Sequence, residues 1–384
     1  MAEKTVCILK HRLNKSGGLE KSTYAIARAF AKKGCNVVIV TSDRPDESLL
    51  NLPHIRWQQI PLKNRVGFLR IREFDNKVEK FLSNHHFDIV FGMDRNKYQS
   101  HLRLGNGLHK IFLRRRQVVE SFFKRCSFYL NPLHRLLLSY EKRALENPGL
   151  KCLFTNSLMV KNELLENYKT PPSNIHVIHN GVEWDAMEKD FQSWVEKKPK
   201  IAKELFLNPE EFHFLFIGHG YNRKGLTQLL HALAKMKHKQ IHLSIVGEDA
   251  HIKNFQNLAR SLQLENRVTF FQGRSDVRKF YQLADVLVIP SLYDPFANVT
   301  VEALAMGVFV LSSSFNGGAE VLQSFSGSVI ENIFDPELFA ASMDHLVEHH
   351  KKTWVRSIKI RESVKHLDFS LQTSKLVDIS LKQQ

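Results

Sequence analysis

A chain of 384 residues exceeds what one hydrophobic core usually organises and favours two domains. Its composition, 43% hydrophobic and 24% charged, excludes a disordered or low-complexity chain, and no run approaches the roughly eighteen apolar residues of a membrane span. The formal net charge of +16 is high for a metabolic enzyme and asks for a polyanion: nucleic acid, anionic lipid or a phosphorylated substrate.

The first elements follow from local pattern. Thr5 to Leu9 is a short apolar run, Gly17-Gly18-Leu19-Glu20 follows, and Ala25, Ile26, Ala29 and Phe30 have helical spacing, so the segment predicts strand, glycine loop, helix. Gly34 ends the helix, and Asn36 to Thr41 is a continuous β-branched run typical of a buried strand. Phe74 to Leu82 then predicts a helix and Phe87 to Gly92 a strand; Cys152 to Thr155, Ser157 to Asn167 and Ile175 to Ile178 repeat the pattern. Residues Trp184 to Asn208 are charged, contain Pro199 and show no clear strand. From Phe212 the alternation restarts, with strands at 212–217, 241–246, 268–271, 286–289 and 308–311. Helices are predicted at 226–236, 252–262, 277–283 and 299–305, and from Pro336 onward. Two runs of strand and helix imply two doubly wound parallel α/β domains with ligands at the carboxyl ends of the strands.

Two loops carry the strongest chemical signals. Gly218-His219-Gly220-Tyr221-Asn222-Arg223-Lys224-Gly225 joins a strand to a helix. Glycines admit an anion close to backbone, the helix start offers amides, and Arg223 and Lys224 add two charges, so a diphosphate is the natural occupant. The segment is neither GxxxxGK[ST] nor GxGxxG. Its alternative reading is a basic solvated turn. Pro290 to Leu304 places Asp294 after a strand and Glu302 on the following helix. Amides at that helix start suit phosphate, and the acids suit sugar hydroxyls. Asp43 and Asp46 are read as solvated loop residues rather than metal ligands. The cysteines Cys7, Cys35, Cys126 and Cys152 lack a CxxC pair and are read as buried free thiols.

With these motifs the chain resembles glycosyltransferase family 4, the retaining GT-B group. Asp294-x7-Glu302 matches the acid-x7-Glu loop, and Ala305 to Val310 matches the AxGxPVV strand. Arg223-Lys224-Gly225 matches the diphosphate pair, His179-Asn180-Gly181-Val182 the interdomain HNGV, and Gly17-Gly18 the first-domain glycine loop. Asn316 to Glu320 also fits. Gly273-Arg274-Ser275-Asp276-Val277 and the stretch from Gly92 to Arg116 point within the family to lipopolysaccharide inner-core glucosyltransferases. There Arg103 to His109 stands where RAGDGxH is common, with Asn106 in place of Asp.

The resemblance implies two Rossmann-like domains facing a central cleft. Residues 1–183 would form the acceptor domain, 184–208 the connection, 209–365 the nucleotide-sugar domain, and 366–384 a C-terminal helix able to cross back. It implies a donor site of Gly17, Gly18, Gly218, Arg223, Lys224, Asp294, Phe296, Ala297, Asn298, Val299 and Glu302. Glu302 would hold the ribose. Asp294, one methylene shorter than the usual Glu, would contact the sugar, and Arg223 and Lys224 would stabilise the departing diphosphate with no metal and no cofactor. His109 is the candidate for sugar contact or proton handling. Because Asn106 cannot act as a base, any base role moves to Asp94, donor phosphate oxygens or water.

Residues 101–143 hold ten Lys or Arg against two Glu, interleaved with Ile111, Phe112, Val118, Phe122, Phe123 and Tyr129. Asn106 and Arg114, Arg115 and Arg116 are therefore assigned to the acceptor or to an anionic membrane surface. The expected reaction moves a hexose, glucose first, from UDP-glucose to a lipopolysaccharide-core or related glycolipid. No signal-peptide pattern opens the chain. The expected place is therefore the cytoplasm, peripheral to the inner face of the cytoplasmic membrane. An epimerase of the same fold would consume the donor without an acceptor. A basic nucleic-acid-binding protein would explain the charge, but no nucleic-acid module is recognisable and no nucleic-acid partner is expected.

Overall fold

The structure, a computed structural model, describes residues 3–13, 18–44, 53–118, 125, 127–128 and 130–383. The chain divides into two compact units, Met1–His179 with Ser370–Gln384, and Asn180–Phe369.

In the first unit the order is β1 (Thr5–Leu9), α1 (Gly18–Lys32), β2 (Asn36–Thr41), β3 (Ile55–Gln59), α2 (Gly67–Ser83), β4 (Ile89–Gly92) and β5 (His101–Leu104). It continues with α3 (His109–Gln117), α4 (Pro132–Leu145), β6 (Cys152–Thr155), α5 (Leu158–Asn167) and β7 (Ile175–Val177). All strand pairs are parallel, in the order β3-β2-β1-β4-β5-β6-β7, with Val6 opposite both Val37 and Ile89. The apolar run of β1 is buried because sheet neighbours flank it and helices cover the sheet. On α1, Ile26 and Phe30 face that sheet four residues apart, and Phe30 meets Phe91 edge-on at 6.1 Å. Truncating such a ring to Ala costs about 3–5 kcal/mol. Gly34, at φ +80°, ends α1 in the left-handed conformation that glycine tolerates.

The second unit contains α6 (Glu188–Gln192), α7 (Trp194–Glu204), β8 (Phe212–Ile217), α8 (Leu226–Lys235), β9 (Ile241–Val246), α9 (Ile252–Ser261) and β10 (Val268–Phe270). After these come α10 (Val277–Leu283), β11 (Val286–Ile289), α11 (Asn298–Ala305), β12 (Phe309–Ser313), β13 (Gly327–Ile330), α12 (Pro336–His349) and α13 (Trp354–Glu362). Its parallel sheet runs β10-β9-β8-β11-β12-β13. Leu226, Leu229, Leu230 and Leu233 of α8 are fully buried at helical spacing, which fixes that helix on the sheet. The last helix, α14 (Phe369–Lys382), packs with the first unit: Leu376 and Val377 join Val6, Ile8 and Phe30, and Lys33 pairs with Asp378 at 2.7 Å.

Three expectations need correction. Residues 184–208 are not a free connection: Met187, Phe191, Trp194, Ile201 and Leu205 are buried in the second core, and Pro199 sits inside α7. Apart from Lys198, which is buried against Asp285 at 3.1 Å, most of their charged residues lie on the outer face of packed helices, so the charge that suggested a linker is mainly the solvated side of an amphipathic segment. Asp43 is buried, not solvated, and accepts the Leu13 N–H at 2.6 Å. Three strands escaped the pattern, β3, β5 and β13, because Arg56, Gln58, His101 and Arg103 break the apolar run and β13 opens on Gly327 and Ser328, leaving only two apolar residues.

Candidate functional site

In the second sheet β8 is the first strand, and the chain leaves it towards β9 on one side while β11 stands on the other. Between those two carboxyl ends the strand order reverses, the place where doubly wound sheets bind ligands. The loop after β8 supplies Arg223 and Lys224, and the loop after β11 supplies Asp294. Lys224 Nζ lies 2.6 Å and Arg223 Nη1 3.4 Å from Asp294 Oδ2, and Arg223 also donates to the Tyr293 carbonyl at 3.2 Å. Asp294 is 7% exposed. Burial opposes its charge, but Lys224 and Arg223 outweigh burial and hold the carboxyl below its ordinary range.

Glycines bring these loops together. Gly225 starts α8 at φ +77°, and a Cβ there would stand 1.9 Å from the Pro290 carbonyl oxygen. A Cβ on Gly218 would meet the Lys224 stem at 3.1 Å. Tyr221 anchors the loop from beneath, its N–H donating to Asp249 at 2.7 Å and its hydroxyl to the Gly247 carbonyl at 2.7 Å.

Helix α11 opens beside the ion pair. Buried Asn316 fixes its entry: Oδ1 accepts from the Ala297 and Gly318 amides, each at 3.0 Å, while Nδ2 donates to Thr300 Oγ1 at 3.2 Å and Ser312 Oγ at 3.0 Å. Among the described residues no protein acceptor meets the amides of Asn298 and Val299, the first two of the helix. Such amides are donors for an anion. Glu302, one turn on, accepts from the Tyr281 hydroxyl at 2.9 Å. Full burial and then the Glu302 charge push that phenol well above its ordinary value, so it stays a donor. Asn180 reaches the same loop, donating to Asn298 Oδ1 at 2.8 Å and to the Phe296 carbonyl at 3.3 Å.

The first unit has its own reversal point, between β1 and β4. Lys10 Nζ pairs with Asp94 Oδ1 at 3.0 Å, and the His11 N–H donates to Asp94 Oδ2 at 2.8 Å, so both carboxylate oxygens are engaged. Further along, His109 begins α3. Its N–H donates to Glu141 Oε2 at 2.5 Å, and the Lys110 N–H to Oε1 at 3.1 Å. Glu141, on α4, is fully buried, with Arg95 Nε at 2.9 Å and the Tyr168 hydroxyl at 2.6 Å. The His109 ring is half-buried, with Nε2 3.1 Å from His134 Nδ1. Burial, with Arg95 and His134 adding to it against Glu141, pushes the imidazole down to about 4, so it is neutral at neutral pH.

Two family models match. That of the glycosyl transferases group 1 covers residues 197–359, and that of glycosyltransferase family 4 covers residues 16–185. The chain belongs to glycosyltransferase family 4. This glycosyltransferase is 24% identical over 329 residues to the lipopolysaccharide glucosyltransferase WaaG of Escherichia coli, covering 84% of this chain and 83% of WaaG. It is 28% identical over 213 residues to a mycobacterial (Mycobacterium sp. strain JLS) D-inositol 3-phosphate glycosyltransferase, covering 53% of this chain and 46% of that protein. The match to an uncharacterised glycosyltransferase of Methanocaldococcus jannaschii, 27% identical, also spans about half of each chain, 51% and 50%. The two-unit fold is that of GT-B enzymes. The crystal structure of WaaG aligns at a TM-score of 0.76 and 21% identity, covering 97% of this chain and 99% of that one. Anabaena HepE, solved in complex with UDP and glucose, aligns at 0.71 and 17%, covering both chains completely at 100%.

In the glycosyltransferase, Gly218, Arg223, Lys224, Asp294, Phe296, Ala297, Asn298, Val299 and Glu302 gather at the carboxyl end of the second sheet, around its central strands β8 and β11. Gly18 is the first residue of α1, while Gly17 lies outside the described residues, as do Asp46 and Cys126. Cys7, Cys35 and Cys152 are buried free thiols. Asn106 and Arg114 are exposed, and Arg115 and Arg116 are half-buried. The Arg116 guanidinium lies 4.8 Å from the Phe128 ring centroid and 5.6 Å from that of Phe112. Ile111 and Leu113 are buried, so α3 turns one face to its own unit; Phe122, Phe123 and Tyr129 lie outside the described residues. No helix among the described residues is long and apolar enough to cross a membrane.

Sequence reasoning missed Asn316, Tyr281 and Glu141 as organising residues. Asn316 carried a signal as the head of the matching stretch to Glu320, and Glu141 as one of two acids in the basic stretch 101–143; Tyr281 carried none.

Proposed function

We propose that this family 4 glycosyltransferase moves a hexose, with retention, from a nucleotide sugar to a lipopolysaccharide-core or related glycolipid acceptor, and that the donor is UDP-glucose. The observation that carries the reading is the pairing of Arg223 and Lys224 with Asp294 beside the open amides of α11. Two cations outnumber one carboxylate there, so a diphosphate can take over Lys224 and Arg223 while the amides of Asn298 and Val299 receive its other oxygens. As the bond to the anomeric carbon breaks, charge grows on the leaving diphosphate, and these preset donors stabilise it without a metal.

Glu302 holds the ribose hydroxyls in this scheme, and its other partner, the Tyr281 hydroxyl, keeps it oriented. Asp294 orients the two cations and faces the transferred sugar. Gly17 and Gly18 let the first domain's backbone approach the donor. His109 serves as a neutral hydrogen-bonding partner of the sugar rather than as an acid, because burial keeps it unprotonated. The acceptor hydroxyl attacks from the face the diphosphate leaves, with proton acceptance by donor phosphate or water, since both Asp94 oxygens are already engaged.

The glucose and lipopolysaccharide assignments rest on the likeness to WaaG, and the UDP assignment also on HepE. The exposed Arg114, the neighbouring Arg115 and Arg116, and the exposed Val118 and Leu130 support docking of the first domain on anionic lipid at the cytoplasmic face of the membrane. A thermal-shift screen with UDP-, GDP- and ADP-sugars, with and without EDTA, tests donor and metal together. Stabilisation by UDP-glucose that survives EDTA is expected. Stabilisation confined to another nucleotide, or abolished by EDTA, overturns the donor or the metal-free scheme respectively.

A further inference from the structure

Residues 345–349 read His-Leu-Val-Glu-His and occupy the last turns of α12. His345 and His349 are four residues apart and share one exposed face of the helix, their ring centroids 4.5 Å apart. The ligand atoms of His345, Glu348 and His349 all lie within 4.8 Å of one another. Two imidazoles and a carboxylate are a donor set for borderline transition ions, zinc above all. Bonds of about 2.1 Å would draw such atoms to roughly 3.4 Å apart, a change within reach of exposed rotamers.

A fourth group arrives from a different element. His238 follows α8, and its Nδ1 lies 2.8 Å from Asp344 Oδ1. Asp344 is buried and is itself held by the amides of Lys237 and His238, each at 3.0 Å. That contact occupies Nδ1, and Nε2 lies on the side of Glu348, whose Oε1 is 3.7 Å away. A carboxylate that fixes one imidazole nitrogen and leaves the other free is the support that metal-bound histidines have.

We infer that His345, Glu348 and His349, with His238 as fourth ligand, bind one divalent transition ion of the zinc class. The ion ties the turn after α8 to the end of α12. Helix α8 follows directly on Arg223 to Gly225 and is about 15 Å long, so the site sits at the opposite end of that helix from the diphosphate loop and takes no part in transfer chemistry.

The test uses the full chain without a histidine tag. Calorimetric titration with Zn²⁺ should give one ion per chain, and Co²⁺ in its place should show the intense visible absorption of a tetrahedral centre. The double variant His345→Gln with His349→Gln, changed only at exposed positions, should lose that ion, and Asp344→Asn should weaken binding about tenfold or more. Wild-type protein that takes up no stoichiometric zinc overturns the inference, as does a double variant that binds it unchanged. Unaltered affinity in His238→Gln removes the fourth ligand.

Discussion

The two domains solve the same geometric problem differently. In each, a lysine after the first strand pairs with an aspartate after the strand across the reversal point: Lys10 with Asp94, and Lys224 with Asp294. In the first domain the accounts of charge and hydrogen bonding are closed. Asp94 spends its second oxygen on a backbone amide, and the amides that open α3 are already filled by Glu141. In the second domain a further cation, Arg223, joins the pair, and the amides that open α11 meet no protein acceptor among the described residues. A helix start capped by its own buried carboxylate is structural; one left open beside surplus positive charge is ready for an anion.

That contrast can be broken from either side. The largest effect is expected from Glu141→Ala, which strands Arg95 and uncaps α3; breaking a buried pair costs about 3–5 kcal/mol. Denaturant unfolding measures it, and a loss below about 1 kcal/mol, the range of exposed pairs, would mean that Glu141 is not structural. Next come Arg223→Ala and Lys224→Ala, each expected to lower turnover about a hundredfold and to weaken diphosphate binding, with folding retained. Unchanged steady-state kinetics in both variants would remove the anion site. Glu302→Ala should weaken nucleotide binding about tenfold, the loss of one hydrogen-bonded charged contact. Calorimetry with UDP reads this directly, and normal affinity contradicts a ribose role.

The smallest effect concerns His109. Its folded value of about 4 lies below the unfolded value of about 6.5, so the unfolded chain binds the extra proton first as pH falls. Stability is therefore lost between about pH 6.5 and 4 and not regained below. His101, His213 and His242, also pushed down to about 4 by burial, steepen the same slope. Unfolding curves across that range should fall less steeply for His109→Gln than for the wild type. Parallel slopes would show that His109 titrates normally, and the first domain would then hold an ionisable group where the structure places a neutral one.

Much of the fold was legible in sequence because burial on both faces of a parallel sheet writes continuous apolar runs, as in Asn36–Thr41 and Ile241–Val246. Where a strand buries polar groups, as His101 and Arg103 do in β5, the run is broken and the signal disappears. Residues 184–208 misled for the converse reason: their buried positions are spaced around helices and outnumbered by charge.

The site divides along the same line. Sequence by itself determined that Arg223, Lys224, Asp294 and Glu302 follow strands or open helices, since local spacing fixes where a loop meets an element. Only the tertiary structure decided that Arg223 and Lys224 share Asp294 across 71 and 70 residues, that Asn316 pins the start of α11, and that Glu141 closes the start of α3. Those contacts join segments far apart in the chain, and a polar residue's partner, unlike its helical or strand period, leaves no trace in its neighbours.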